Sequence, residues 1–281
     1  MLKGHGTGND FVLLPDLDGE IDLTDEMVQA LCDRRFGLGG DGVLRVVRCA
    51  ASDDPDASGA EFFMDYRNAD GSSAQMCGNG IRVFARFLVE EGLADSAGMD
   101  IATRGGVRHV RRLEADSGDG GQAGQYAVGM GPASGMDVIA SVMVGNRSYP
   151  ATGVHVPNPH AVVFVTSVGA AGPLDRAPEV SPEHLFPEGV NVEFVEQIAP
   201  GHVRMRVHER GVGETLSCGT GACAVAWVVR QRGGDLPESI RVDVPGGTLH
   251  VRERDGEFEL VGPAVIVADG TLEPDWAAAW S

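Results

Sequence analysis

Met76-Cys77-Gly78-Asn79-Gly80-Ile81-Arg82 sets a thiol ahead of an apolar helical run, and Ser217-Cys218-Gly219-Thr220-Gly221-Ala222 does so a second time. A thiol at a helix start has its thiolate favoured by the first-turn N–H groups and by the positive end of the helix dipole, about half an elementary charge. Two such thiols suggest paired acid and base chemistry. After the first, Ile81, Phe84, Ala85 and Leu88 recur at helical spacing opposite Arg82, Arg86 and Glu90, which predicts an amphipathic helix ending near Gly92. After the second, Ala222 to Val229 is apolar on nearly all sides. This predicts a central helix wrapped by sheet, with cations and a glycine at its end, Arg230-Gln231-Arg232-Gly233.

Working outward, the two halves of the chain match. Asn158-Pro159-His160-Ala161-Val162 answers Asn9-Asp10-Phe11-Val12-Leu13, and Asn191-Val192-Glu193 stands as far beyond Gly42-Val43-Leu44 as Asn158 stands beyond Asn9. The run His202 to His208, with Glu209 and Cys218, follows Glu61 to Arg67, Asn68 and Cys77 at a second common offset, slightly shorter than the first. Four anchors at two nearly equal offsets imply two lobes of one architecture. Gly129-Met130-Gly131-Pro132-Ala133-Ser134-Gly135 is the candidate boundary, so lobes are expected over residues 1–131 and 132–263.

Other segments read more simply. Thr24 offers an N-cap with Asp25 and Glu26 in the first turn, and Met27, Leu31 and Arg34 carry a helix that stops at Gly37, with Cys32 packed inside. Gly37-Leu38-Gly39-Gly40-Asp41-Gly42 matches G-x-G-x-x-G in form only. The dinucleotide fingerprint needs a strand before and a helix after it, the reverse of the order here. The chain from Ile101 to Val128 predicts short strands with a solvated hairpin between Asp116 and Gly124, Val261 to Val267 a last strand, and the tail from Glu273 no clear role.

With 22 basic against 41 acidic residues the net charge is -19, which argues against nucleic acid or an anionic membrane as partner. Lys3 is the only lysine; acidity with few lysines fits either a salt-rich cytosol or a coding bias. No charged-then-apolar leader precedes the first glycines, and no apolar run approaches the ~20 residues of a membrane helix, so a cytoplasmic location is expected. Cys32, Cys49, Cys77, Cys218 and Cys223 form neither a dense disulfide framework nor a zinc spacing, and reduced thiols follow.

Two equivalent thiols could form a disulfide, hold a metal or act as an acid/base pair. A metal would want clustered histidine or cysteine, and only His160 and His208 stand nearby in sequence pattern. Acid/base work fits better, because a racemase that takes a proton from one face of a carbon and returns one to the other needs two groups. Charge developing on an α-carboxylate could be met by backbone N–H groups of Gly78, Asn79, Gly219 and Thr220 at the helix starts. A Schiff-base cofactor is then unnecessary, and its usual lysine anchor would have to be Lys3.

Gly8-Asn9-Asp10-Phe11, Asn68-Ala69-Asp70-Gly71-Ser72, Asn158-Pro159-His160, Asn191, Glu209-Arg210-Gly211-Val212-Gly213-Glu214-Thr215 and the two cysteine motifs together resemble the diaminopimelate epimerase family over nearly the whole chain. The resemblance implies an isomerase interconverting LL- and meso-2,6-diaminopimelate without cofactor or metal, in lysine and cell-wall precursor biosynthesis. It implies an α/β (α+β) fold of two pseudo-symmetric lobes, each a mostly antiparallel sheet wrapped around a central helix, with the site between them and the segment 264–281 returning to complete the first lobe. It makes Cys77 and Cys218 the base and acid. It gives Asn9, Asn68, Asn158, Asn191 and Arg210 to substrate binding, Gly78, Asn79, Gly219 and Thr220 to the reacting carboxylate, and His160 and Glu209 to support of the thiols. The partner is thus a small molecule, and the oligomeric state is left between monomer and homodimer.

Two positions depart from the family pattern. Gly42 stands where some members carry Gln, and Pro157 stands before Asn158 where Gly is usual, which bears on the distal end of the substrate. Rival readings are a related cofactor-independent racemase of proline, hydroxyproline or histidine, and a redox-switched binding protein. Proline racemase-like chains usually place Ser-Pro before the second cysteine, where Leu216-Ser217 stands here.

Overall fold

The computed structural model describes residues 1–114 and 124–280. The hairpin turn expected after Asp116 lies outside the described residues. By packing, the chain divides into two units, Met1–Val128 with Gly262–Ser281, and Gly129–Val261.

The first unit holds β1 (Leu2–Gly6), β2 (Asn9–Pro15), α1 (Asp25–Cys32), β3 (Gly42–Arg48), β4 (Phe62–Asn68), α2 (Gly78–Glu90), β5 (Met99–Ala102), β6 (Arg108–Arg112) and the first half of β7 (Gln125–Pro132). The second holds β8 (Ser134–Val144), β9 (Arg147–Val156), β10 (Asn158–Val165), β11 (Glu179–Ser181), β12 (Asn191–Ala199), β13 (His202–Glu209), β14 (Gly213–Thr215), α3 (Gly219–Gln231), β15 (Ser239–Val244), β16 (Gly247–Arg254) and most of β17 (Glu257–Pro263). The chain then returns to the first unit as β18 (Val265–Asp269) and a short helix, α4 (Pro274–Ala277).

The internal repeat is a repeat of register. Phe11 pairs Gly42 in the parallel β2/β3 ladder, and their counterparts at the first offset, His160 and Asn191, pair in the parallel β10/β12 ladder. Phe62 pairs Ile101 between β4 and β5, and their counterparts at the second offset, Val203 and Val242, pair between β13 and β15. Across each unit the ladders alternate in the same order. β18, β1 and β2 run antiparallel, as do β8, β9 and β10. A parallel, an antiparallel and a second parallel pairing follow, then an antiparallel meander ending on β7 or β17. β18 therefore occupies in the first unit the place that β8 takes in the second.

Parallel neighbours need a crossover, and α2 and α3 are the crossovers of β4 to β5 and β13 to β15. α2 packs against β1, β2, β3, β6 and β18, and α3 against β9, β10, β12, β15 and β16. Each is a central helix within its own sheet, which is why both are buried far beyond one amphipathic stripe. This mixed architecture of strand-rich sheet and few helices is the fold class expected from the sequence.

Several local expectations are corrected. α1 stops at Cys32, not Gly37: Asp33 leaves the helix in extended backbone, and its carboxylate accepts from the N–H groups of Arg35 and Phe36 beyond it. Thr24 caps its start, accepting from Met27 N–H. Arg82, placed by periodicity on a polar face, is fully buried. Its guanidinium donates to Gly78 O, Asn79 Oδ1, Thr7 Oγ1 and Pro263 O. The run from Val261 to Val267 is two strands broken at Ala264, directly after Pro263, which has no N–H to give a ladder. The tail also has a place: Trp276 of α4, with Met1, Ile21 and Leu272, packs on the core formed by Leu31, Val28, Val12 and Val43.

Candidate active site

Strand order brings the chemistry-bearing residues to one end of each sheet. Asn9 begins β2, Gly42 begins β3 beside it, Asn68 ends β4 opposite Gly42, and α2 starts shortly afterwards at Cys77. In the second unit Asn158, Asn191, Glu209 and Cys218 take the same stations on β10, β12, β13 and α3. Both cysteines are the N-caps of their helices, in extended backbone, rather than loop residues some way ahead of them. Cys77 Sγ accepts from Gly80 N–H at 3.4 Å, and Cys218 Sγ accepts from Gly221 N–H at 3.4 Å. Sulfur thus stands where an oxygen normally caps, against first-turn amides that no preceding helical carbonyl can satisfy.

In the first unit Asn9 is the hub. Its Oδ1 accepts from the Cys77 thiol at 3.4 Å and from Asn79 Nδ2 at 3.3 Å, while its Nδ2 donates to Asp41 at 2.6 Å. Asp41 therefore fixes which end of the amide meets the sulfur. Arg34 holds Asp41 and Asp10 together, and Lys3 donates to Asp10 and to the Gly39 carbonyl. Asn79 is buried, its Oδ1 accepting from Thr7 and Arg82. Asn68 stands apart from this hub, donating from Nδ2 to Ser72 Oγ at 3.1 Å. Gly78 is buried at the start of α2. A side chain at Gly42 would meet Arg67 O at 2.4 Å and the Tyr66 ring at 2.7 Å, so the sheet here is packed around a glycine.

The second unit gathers more titratable groups. His160, fully buried, sets Nδ1 2.6 Å from Glu193 Oε1 and Nε2 2.9 Å from Asn158 Oδ1. Thr215 donates its hydroxyl to Glu209 Oε1, and the Cys218 thiol donates to the same carboxylate. Cys218 Sγ also lies 3.4 Å from Thr220 Oγ1, and Gly219 is buried in the first turn of α3. Burial raises the Glu209 carboxyl above its usual range, opposed by the Thr215 and Cys218 hydrogen bonds. Burial first, then the charges of Glu209 and Glu193, push the Cys218 thiol well above its ordinary value near 9, against the helix-start amide and Thr220. Cys218 is thus a proton-bearing thiol at neutral pH.

Asn191 and Arg210 form a separate pair. Asn191 Oδ1 accepts from Arg210 N–H at 2.9 Å, and Asn191 Nδ2 is buried without a hydrogen-bond partner among the described residues. The Arg210 guanidinium reaches the Glu188 carbonyl, and a cavity of about 360 Å³, lined also by Phe186, Val190 and His208, opens beside it. Among the described residues no group of three or more His, Cys, Asp or Glu is arranged to hold a metal.

Two residues that the motifs do not single out take part in these clusters. In sequence Asp41 is only part of a glycine pattern, and its signal is a carboxylate one residue before a strand equivalent to that of Asn191. Glu193 reads as a strand residue, and its signal is a charge inside the apolar run Val192-Glu193-Phe194-Val195.

The family profile described as "Diaminopimelate epimerase" matches residues 1–135 and 152–267. A protein of that name from Streptomyces coelicolor is 53% identical, over 98% of this chain and 96% of its own. Another from Thermobifida fusca is 48% identical, over 96% of each. Among solved structures, a phenazine biosynthesis protein of the PhzF family from Bacillus anthracis superposes with a TM-score of 0.68 at 17% identity, over 95% of this chain and 96% of that one. A hydroxyproline epimerase from Agrobacterium vitis does so at 0.63 and 15%, over 99% and 97%. These two likenesses speak to the fold alone. The profile match and the relatives at 48% and 53% identity run through both cysteine half-sites, and the chain belongs to the diaminopimelate epimerase family.

Proposed function

We propose that this chain interconverts LL- and meso-2,6-diaminopimelate by a two-base proton transfer, with Cys77 and Cys218 acting on opposite faces of one α-carbon. The observation that carries the reading is the pair of thiols serving as N-caps of equivalent helices, each with its own polar support. One cysteine, as thiolate, takes the α-proton; the other, as thiol, gives its proton to the opposite face. The S–H bond formed on the first and the S–H bond broken on the second balance the step, and reversing direction exchanges the roles. Burial and the neighbouring carboxylates keep Cys218 protonated, which suits it to the donor role.

An α-hydrogen of an amino acid is very weakly acidic, so the charge arriving on the α-carboxylate must meet donors already in place. The amides of Gly78, Asn79, Gly219 and Thr220, in the first turns of the two helices, are suited to that carboxylate. Asn9, Asn68, Asn158, Asn191 and Arg210 would bind the remaining ammonium and carboxylate groups. The buried Nδ2 of Asn191, without a hydrogen-bond partner among the described residues, supports this, since a donor so placed is normally met by a ligand or water. Lys3 is committed to Asp10 and the Gly39 carbonyl, which weighs against a Schiff base and agrees with a reaction needing no cofactor. The same reading places the chain in the cytoplasmic route to lysine and cell-wall precursors, as monomer or homodimer.

Incubation in D2O with diaminopimelate, beside proline, hydroxyproline and histidine, tests the reading. Deuterium is expected at the α-carbon of diaminopimelate alone, with Cys77→Ser and Cys218→Ser each losing most turnover while still binding substrate, because an alcohol is a far weaker acid than a thiol. Retention of the α-hydrogen with diaminopimelate, or full activity in both serine variants, would sink it. A redox-switched binder would bind without exchange.

A further inference from the structure

The two half-sites differ directly beneath their thiols. A Cβ at Gly80 would meet Leu44 Cδ2 at 3.2 Å and Phe11 Cζ at 3.4 Å, whereas a Cβ at Gly221 would meet Glu193 Oε1 at 2.7 Å. The repeat makes Leu44 and Glu193 equivalent, and Phe11 and His160 equivalent. An apolar pair under the first helix start is therefore replaced under the second by a hydrogen-bonded histidine and carboxylate. The first unit shows that this sheet and helix pack with a leucine in that place. A carboxylate there is costly, because Glu193 is fully buried and its Oε2 has no hydrogen-bond partner among the described residues. What Glu193 does have is His160 Nδ1, at 2.6 Å.

We propose that Glu193 is a positioning residue of the Cys218 half-site, acting through His160. By accepting from Nδ1–H it makes that nitrogen the permanently protonated one. The ring is then held in one orientation, with its other nitrogen, Nε2, facing Asn158. The titratable groups around this ring are Glu193 on β12, Glu209 at the end of β13 and Cys218 at the start of α3, and each of the carboxylates raises the Cys218 thiol. The first half-site has no equivalent of this device, since Phe11 and Leu44 stand there. The inference rests on the epimerase reading of the site for its kinetic consequence, but not for the state of the ring.

The test uses the full chain with ¹⁵N-labelled histidine. Wild-type His160 is expected to show a protonated Nδ1 protected from exchange, a signal lost in Glu193→Leu and kept in Glu193→Gln, whose amide oxygen can still accept. In epimerisation assays Glu193→Leu is expected to lower kcat by about tenfold or more with KM changed far less, as loss of an orienting partner does elsewhere. Glu193→Gln should restore most of kcat while moving a limb of the kcat/KM pH profile, since the charge is gone. In a His160→Phe background the leucine change should cost nothing further. An unchanged Nδ1 signal in Glu193→Leu, or an equal loss with and without His160, overturns the proposal. Should the leucine variant not fold, a glutamine variant whose pH profile superimposes on wild type overturns it instead. A wild type without exchange but with a fixed Nδ1 would strike down the epimerase reading and with it the kinetic role, leaving the positioning of the ring.

Discussion

A methyl group added at Gly221 separates the two halves of the repeat. It would stand 2.7 Å from Glu193 Oε1, 3.3 Å from Glu193 Cγ and 3.4 Å from Cys218 Cβ. At the equivalent Gly80 it would stand 3.2 Å from Leu44 Cδ2, 3.4 Å from Phe11 Cζ and 3.5 Å from Cys77 Cβ. A leucine methyl yields a few tenths of an ångström by a small rotation. Glu193 has no such freedom, because it is fully buried and any retreat stretches its bond to His160. A charge-assisted hydrogen bond of this kind contributes about 1.5–3 kcal/mol, and replacing glycine by alanine in a helix returns at most about 1 kcal/mol. Gly221→Ala is therefore expected to destabilise by about 1–2 kcal/mol, and Gly80→Ala to be neutral or slightly stabilising. At about 2–4 °C per kcal/mol for a protein approaching this size, Gly221→Ala should lower the Tm by about 2–8 °C. Thermal unfolding of both variants by calorimetry, with epimerisation measured in parallel, decides the matter. Equal Tm values, or a rise in the Gly221 variant, would refute the claim that a rigid carboxylate is packed under the second thiol.

Two other expectations follow from the electrostatics. Because the Cys218 thiol lies well above its ordinary value, its alkylation by iodoacetamide at pH 8, followed peptide by peptide in a mass spectrometer, should be slow and climb with pH; Glu209→Gln removes one repelling charge and should speed it, and an unchanged or slower rate would contradict the assignment. Burial alone would raise the Asp243 carboxyl, but His202, Arg241 and Thr248 hold it at about 2. A carboxylate whose folded pKa lies below its unfolded value of about 3.9 contributes stability that is present above that value and fades as pH falls towards the folded one. Asp243→Asn should therefore lower the Tm at pH 7 and lower it much less near pH 2; a constant difference across that range would show the effect to be packing.

Much of the architecture is written locally. Cys77-Gly78-Asn79-Gly80 and Cys218-Gly219-Thr220-Gly221 announce helix starts because a capping side chain, small first-turn residues and an apolar run are all short-range properties. Where local reading fails, a distant partner has decided. Periodicity puts Arg82 on a solvent face, but Thr7 and Pro263, far off in sequence, supply acceptors that let its guanidinium be buried. Arg34 fits the helical pattern of α1, yet it leaves the helix after Asp33 to join Asp10 and Asp41. The tail after Glu273 reads as inert because Trp276 finds its apolar neighbours only when β18 has returned to lie on β1.

By itself the sequence determined that this protein is a repeat. The matched spacings of its two halves reappear as ladder registers, since a strand's pairing is fixed by the same alternation of residues that makes the repeat visible. It determined as well the two thiols and the family to which they belong. Only the tertiary structure decided how each thiol is supported: that Asp41 turns the Asn9 amide so that its oxygen meets Cys77, and that Glu193 lies buried against α3 holding His160. Both are contacts between side chains far apart in sequence, whose hydrogen bonds become worth making only once the folded sheet has removed water from around them.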